Sequence, residues 1–208
     1  MAIADPEDSW TPRRIKREAT RRAIMDALEA LLATGSYQDV RVEDVMAAAG
    51  LTRTAFYRYF PDLESVLLAL TEVIGAEFGE AANLWLLALD ADADEGLLPA
   101  MSGLAAVWGR HAGLLRGIYD AATTGSRVQA SWRQLVESFL KPVKARLDDL
   151  GRQRRISLDN TQETARALVW MTERYFFETI ARDAKVSPDV AASTLTDIWH
   201  RVLFNPAS

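Results

Sequence analysis

The stretch Val42-Glu-Asp-Val-Met-Ala-Ala-Ala-Gly-Leu-Thr-Arg-Thr-Ala-Phe-Tyr-Arg-Tyr-Phe60 decides how the rest of this 208-residue chain is read. Two short helical segments, 42–49 and 53–60, flank Gly50 and Thr52. Glycine ends helices in the left-handed conformation, and threonine is a good first cap for the next one. Val45, Ala49, Leu51 and Phe56 supply the apolar contacts between the two. The pattern predicts two helices joined by a turn of about three residues. Such a pair can present the start of its second helix to a DNA major groove. Thr52, Arg53 and Thr54 stand at that start and reach base edges, while Tyr57 and Tyr59 offer hydroxyls to phosphate. The positive end of the helix dipole adds to this. An ordinary hairpin in a helical bundle would show the same periodicity, so the flanking sequence has to decide.

Upstream, residues 10–24 hold Arg13, Arg14, Lys16, Arg17, Arg21 and Arg22 against the single acid Glu18. A charged helix face is ordinarily just solvated, but beside a helix-turn-helix a basic arm is rewarded by counterion release and can enter a minor groove. The formal net charge of −5 hides this, because the acidic residues Asp5, Glu7 and Asp8 precede the arm and the chain after residue 62 is acidic overall. The DNA-facing set is therefore Arg13, Arg14, Arg17, Arg41, Thr52, Arg53, Thr54, Tyr57 and Tyr59. Thr11 and Pro12 read as a cap and first turn, Ile24, Ala27, Leu28, Leu31 and Leu32 as a helical core stripe, and Gly35 as its stop.

Downstream the helical period continues without strand-like alternation. Asp62 caps a long helix over 63–89, which Gly75 and Gly79 weaken or bend. Further helices are predicted over 97–108, 112–122, 127–151, 161–185 and 188–204. The fold class is all-α with about nine helices: a three-helix unit at 10–60, then a larger helical domain at 61–208. Helix 161–185 carries one apolar line through Ala165, Leu168, Val169, Thr172 and Phe176 and another through Ala167, Trp170, Met171 and Phe177. The last helix is similarly broad, with Leu195, Ile198, Trp199 and Val202. Helices apolar on two sides need burial on two sides, in a monomer core or partly against a second subunit.

The sequence also excludes classes of chemistry. There is no cysteine, hence no disulfide, thiolate metal site or thiol nucleophile. His111 and His200 are the only histidines and lack metal-ligand spacing. Asp90, Asp92 and Asp94 resemble the start of a calcium loop, but Glu95 stands at the glycine position and Met101 at that of the closing glutamate. Glu173 sits among aromatics, with Arg174 as the expected ion-pair partner. No cofactor, no metal and no enzyme activity are expected. No signal peptide or membrane span is read, so a cytoplasmic protein is expected.

The run Gly50-Leu-Thr-Arg-Thr-Ala-Phe-Tyr-Arg-Tyr-Phe-Pro-Asp-Leu-Glu-Ser-Val-Leu67 resembles the DNA-binding signature of the TetR family of transcriptional repressors, with 20–35 and 37–40 similar to its preceding helix and junction. The resemblance implies a homodimer that binds a palindromic operator, a pocket for a small-molecule effector, and a dimer interface built by the last two helices. Many members carry a lysine where this chain has Leu63. The block Trp170-Met-Thr-Glu-Arg-Tyr-Phe-Phe177, with Asp197-Ile-Trp199, is similar to the ethionamide-resistance type within the family. That likeness implies a narrow hydrophobic tunnel walled by Val169, Thr172, Phe176 and Trp199, with Leu104, Trp108, Val136, Phe139 and Val143 corresponding opposite. That type has asparagines where Val169 and Thr172 stand, so this tunnel is expected to be less polar, with Thr172 its single polar group. A neutral, elongated, hydrophobic effector is expected. Activation rather than repression, a non-apolar trigger, or a helical lipid carrier or enzyme remain as alternatives.

Overall fold

Ten α-helices and no strand make up the residues described by the computed structural model, 12–88, 94–121, 126–183 and 185–204. The Thr11 cap, the acidic start and the Asp90–Asp92 part of the loop lie outside the described residues.

Helix α1 (Pro12–Thr34) ends where the Gly35 amide bonds to the Leu31 carbonyl at 3.0 Å. A 3₁₀ turn, Tyr37–Asp39, leads into α2 (Val42–Ala48). The exit from α2 needs glycine: Gly50 has φ +67°, its amide bonds to Ala47 O, and the Leu51 amide reaches back to Met46 O. This closes the orphan carbonyls of α2 and turns the chain sharply. Helix α3 is shorter than its periodicity suggests, Arg53–Phe56 rather than 53–60. Its exit tightens into i→i+3 bonds, Arg58 N to Ala55 O and Tyr59 N to Phe56 O, because Pro61 disfavours helical backbone at Phe60. Thr52 occupies the cap position, yet its hydroxyl makes no cap bond.

Asp62 caps α4 (Leu63–Leu86), accepting from the Ser65 amide at 2.7 Å. At 1.5 Å per residue this helix is about 36 Å long and runs from the helix-turn-helix to the far end of the larger domain. It stays helical through both glycines. Gly75 instead admits a neighbour, since a Cβ there would lie 2.9 Å from Leu135 Cδ1. Helices α5 (Leu97–Arg110) and α6 (Ala112–Ala121) follow. The helix predicted over 127–151 is broken into α7 (Arg127–Ser138) and α8 (Leu140–Arg152). Pro142 explains the break, for it lacks the N–H that would bond Ser138 O and its ring crowds that carbonyl. Helix α9 (Thr161–Phe176) passes into a π-helical segment, Phe177–Arg182, and α10 (Pro188–Phe204) closes the chain.

Helix α5 packs between α4 and α10, α8 packs on α9, and α1 packs on α6. One contiguous hydrophobic core runs from Ile24 and Leu28 in α1 to Leu203 in α10. The joint between α1 and α6 is close: a Cβ on Gly113 would come within 2.4 Å of the Leu32 carbonyl oxygen, so only glycine fits.

Candidate DNA-reading face and buried cavity

The Gly50 turn sets α3 against α2, and Phe56, fully buried, anchors it. That leaves Thr52, Arg53, Thr54 and Tyr57 exposed on one short surface, together with Arg41 at the start of α2. Tyr57 is 57% exposed and stands edge-on to Phe56. Tyr59 is half-buried against the core. Arg53 is held at 2.8 Å by Glu43 of α2, an exposed pair that water and phosphate can readily replace. Arg58 lies exposed between the two tyrosines and belongs to the same surface, although the sequence reading passed over it. Arg13, Arg14 and Arg17 are exposed along the first turns of α1, and Arg21 is drawn instead over the Phe60 ring at 4.9 Å. Leu63, at the lysine position of the family pattern, packs against the core. Arg127 of α7 comes to the start of α4, where it binds Asp62 and Glu64, each at 2.8 Å.

The second site is inside. Helices α4, α5, α7, α8, α9 and α10 enclose a cavity of about 100 Å³. All nine residues predicted for the tunnel stand on its wall: Leu104, Trp108, Val136, Phe139, Val143, Val169, Thr172, Phe176 and Trp199. The structure adds residues that the sequence reading missed, chiefly Phe78 and Trp85 from α4, Met101 from α5, Trp132 and Leu135 from α7, and Glu173 from α9. Phe78, Trp108, Trp132 and Phe176 form a connected aromatic group, with ring centroids 5.7 to 6.4 Å apart. The Thr172 hydroxyl accepts a 3.0 Å hydrogen bond from Trp199 Nε1, so two buried polar groups satisfy each other.

Thr172 is not the only polar group on the wall. Glu173 is buried, and its Oε1 accepts from Trp132 Nε1 at 3.0 Å and from the Tyr119 hydroxyl. The expected Glu173–Arg174 ion pair is replaced: Arg174 turns to Glu178 at 2.6 Å and lies over the Tyr119 and Phe177 rings. Burial pushes the Glu173 carboxyl above its usual range, against the two hydrogen bonds and the nearby Arg174 charge, which favour its ionised form. Burial likewise raises Tyr119, and the neighbouring carboxylate raises it further. Tyr119 also stacks on Phe177, the first residue of the π segment, at 3.5 Å.

Cavity and reading face are joined through α4 and α6. Arg116 of α6 donates to Ala181 O at 2.8 Å and towards Ala33 O near the end of α1 at 3.4 Å. His111, between α5 and α6, bonds through Nδ1 to Glu29 of α1 and through Nε2 to Glu77 of α4 at 3.3 Å. The Glu29 bond raises the His111 pKa, against burial. Burial alone would raise Glu77, but Arg110 and His111 together hold it below the usual range. His200 is exposed, and no group of residues suited to a metal occurs among the described residues. No described helix is long and apolar enough to cross a membrane.

Comparison with known proteins agrees with this geometry. The profile "Transcriptional regulator EthR, C-terminal domain" matches residues 98–205, and that of the "Bacterial regulatory proteins, tetR family" matches 24–70. The chain is 26% identical over 180 residues to the HTH-type transcriptional regulator EthR of Mycolicibacterium smegmatis, covering 85% of this chain and 82% of the relative. It is 29% identical over 182 residues to EthR of Mycobacterium tuberculosis, covering 85% and 83%. Among solved structures, the fatty acid degradation regulator FadR of Bacillus halodurans superposes with a TM-score of 0.72 at 15% identity, covering 86% of this chain and 93% of that one. A reading head of one profile followed by a cavity-bearing helical half of the other places the chain in the TetR family of bacterial transcriptional regulators, with an EthR-type C-terminal half.

Proposed function

We propose that this regulator represses transcription by binding a palindromic operator as a homodimer, and that an apolar, non-anionic small molecule in the cavity releases it. The observation that carries the proposal is an apolar cavity whose walls include α4, the helix that begins directly after the reading unit. Residues 10–60 act as the DNA-binding domain and 61–208 as the effector and dimer domain. A ligand shifts the balance between two arrangements by its differential affinity for them. The cavity volume lies below the roughly 300–1,000 Å³ of drug-sized sites, so a larger effector has to push the walls apart. Movement of α4 and α6 then reaches α1 through the Gly113 joint. No lysine or arginine lines the cavity among the described residues, so a buried anion would lack a partner.

The dimer reading is supported by apolar surface that one chain leaves uncovered. Val190, Ile198 and Val202 lie exposed on α10, and Ala167, Trp170 and Met171 are exposed or half-buried on α9. A stable pair there buries more than about 1,000 Å² in total. Its two-fold axis sets the two heads about 34–36 Å apart or a multiple of that, the spacing of successive major grooves. The protein is expected to act in the cytoplasm.

The test starts with selection of binding sequences from a random duplex pool, followed by titration at several salt concentrations. The expected result is a palindromic site, a steep salt dependence and a two-to-one stoichiometry of chains to site. Thr172→Trp, which fills the cavity, is expected to alter or abolish ligand response while the Arg53 and Tyr57 contacts remain. Salt-independent or sequence-blind binding would overturn the operator reading. Undiminished ligand binding by Thr172→Trp would move the effector site elsewhere.

A further inference from the structure

The cavity lining carries, beside its aromatic group, a single ionisable side chain. Glu173 is 8% exposed, forms part of the cavity wall, and is given two neutral donors, Trp132 Nε1 and the Tyr119 hydroxyl, both on Oε1. No lysine or arginine of the described residues forms an ion pair with it. The nearest cation in sequence, Arg174, is engaged with Glu178 and lies against Tyr119 and Phe177. Trp132, bonded to the carboxylate, belongs with Phe78, Trp108 and Phe176 to the aromatic group on the same cavity wall, rings whose negative faces attract cations.

A carboxylate within an otherwise apolar wall is costly to bury, and an isosteric glutamine would accept from the same two donors without a charge. The charge has a use if the molecule that enters brings the opposite one. We infer that the effector is an apolar molecule bearing a cationic amine, whose nitrogen binds the Glu173 carboxylate within the aromatic group. This rests on the reading of the cavity as the effector site and narrows it. Water is already stripped from Glu173 by folding, so the incoming ammonium meets a pre-oriented partner. The carboxylate and rings together replace its hydration. The nitrogen competes with the Tyr119 hydroxyl for the carboxylate. Tyr119 sits on α6, the helix that also holds α1 through Gly113 and Arg116. Amine capture and release of the reading head thus act on the same helix.

The experiment uses three probes matched in shape: phenylpropylamine, phenylpropanol and phenylpropanoate. Each is titrated by calorimetry at neutral pH into the full-length protein and its variants. The parent is expected to bind the amine about tenfold or more tighter than the alcohol, with the acid weakest. Glu173→Gln is expected to remove the amine–alcohol gap, chiefly by weakening the amine. Should that variant fail to fold, Tyr119→Phe keeps the carboxylate and removes a competing donor, and is expected to widen the gap. Equal affinity for amine and alcohol in the parent, a gap that survives Glu173→Gln, or a gap that Tyr119→Phe narrows would each overturn the inference. Thr172→Trp separates the two readings. If amine and alcohol bind equally and Thr172→Trp blocks both, the cavity remains the ligand site and only the amine is lost. If no probe binds, or Thr172→Trp changes nothing, the cavity reading falls and the inference with it.

Discussion

The reading head and the cavity use side chains in opposite ways. At the head, Thr52, Arg53, Thr54 and Tyr57 are exposed, and stability rests on other residues, chiefly Phe56, Val45 and the Gly50 turn. In the cavity, Trp108, Phe176, Val169 and Trp199 are at once the wall and the core. A residue that reads DNA can change with little effect on folding. A residue that shapes the cavity changes folding together with the proposed ligand site.

The strongest attempt to break this contrast is Phe176→Ala. Phe176 is fully buried and in contact with Trp108, so truncation is expected to cost about 3–5 kcal/mol of stability, read as a fall in the urea midpoint. A loss under about 1 kcal/mol would mean that the cavity wall is not part of the core. Arg53→Ala is the counterpart at the head. It should cost about 1–3 kcal/mol of operator affinity in a gel-shift titration, with thermal unfolding essentially unchanged. An unaltered affinity would remove Arg53 from the reading set. Gly50→Ala tests the scaffold beneath it. With φ at +67° and open space around the position, the expected cost is backbone strain alone, about 1 kcal/mol of stability. DNA binding would weaken too, because α3 is aimed by that turn.

The smallest effect sharpens the boundary between the two regions. His111 has a raised pKa in the folded state, so its bonds to Glu29 and Glu77 stabilise fully below the unfolded value of about 6.5 and fade as pH rises through the folded value. Glu77 acts in the opposite direction, contributing above its ordinary value of about 4.5 and less as pH falls through its depressed one. Denaturant midpoints of the parent should therefore decline between neutral and mildly alkaline pH, and His111→Gln should flatten that decline. An identical pH profile for the variant would show that this junction adds nothing to stability.

The two regions were not equally legible. The head is written in nineteen contiguous residues, Val42 to Phe60, where a glycine and a cap fix the geometry locally. The misjudged length of α3 follows from Pro61, five residues beyond the helix end. The cavity brings together residues from Phe78 to Trp199, and no local period announces such a meeting. Its predicted wall came from family resemblance, and the residues of α4 went unseen because they read simply as core. Glu173 was paired with the wrong partner for a geometric reason. Neighbours in sequence point about 100° apart on a helix, whereas residues four apart share a face. Arg174 therefore meets Glu178, leaving Glu173 to face inward. The break before Leu140 was written in Pro142, but the π segment after Phe176 carried no comparable mark.

The gathering of indoles has an optical consequence. Of the six tryptophans, Trp85, Trp108, Trp132 and Trp199 line the cavity and Trp170 lies on α9, while Trp10, at the start of the 10–60 unit, lies outside the described residues. Trp108 stands edge-on to Trp132 at 5.8 Å and Trp85 to Trp199 at 5.4 Å, close enough for their excited states to couple. The intrinsic emission and near-ultraviolet dichroism of the protein therefore report mainly from the cavity. Trp10→Phe removes the one indole beside the basic arm, so in that variant occupancy of the cavity can be followed without a label while the candidate reading head is engaged.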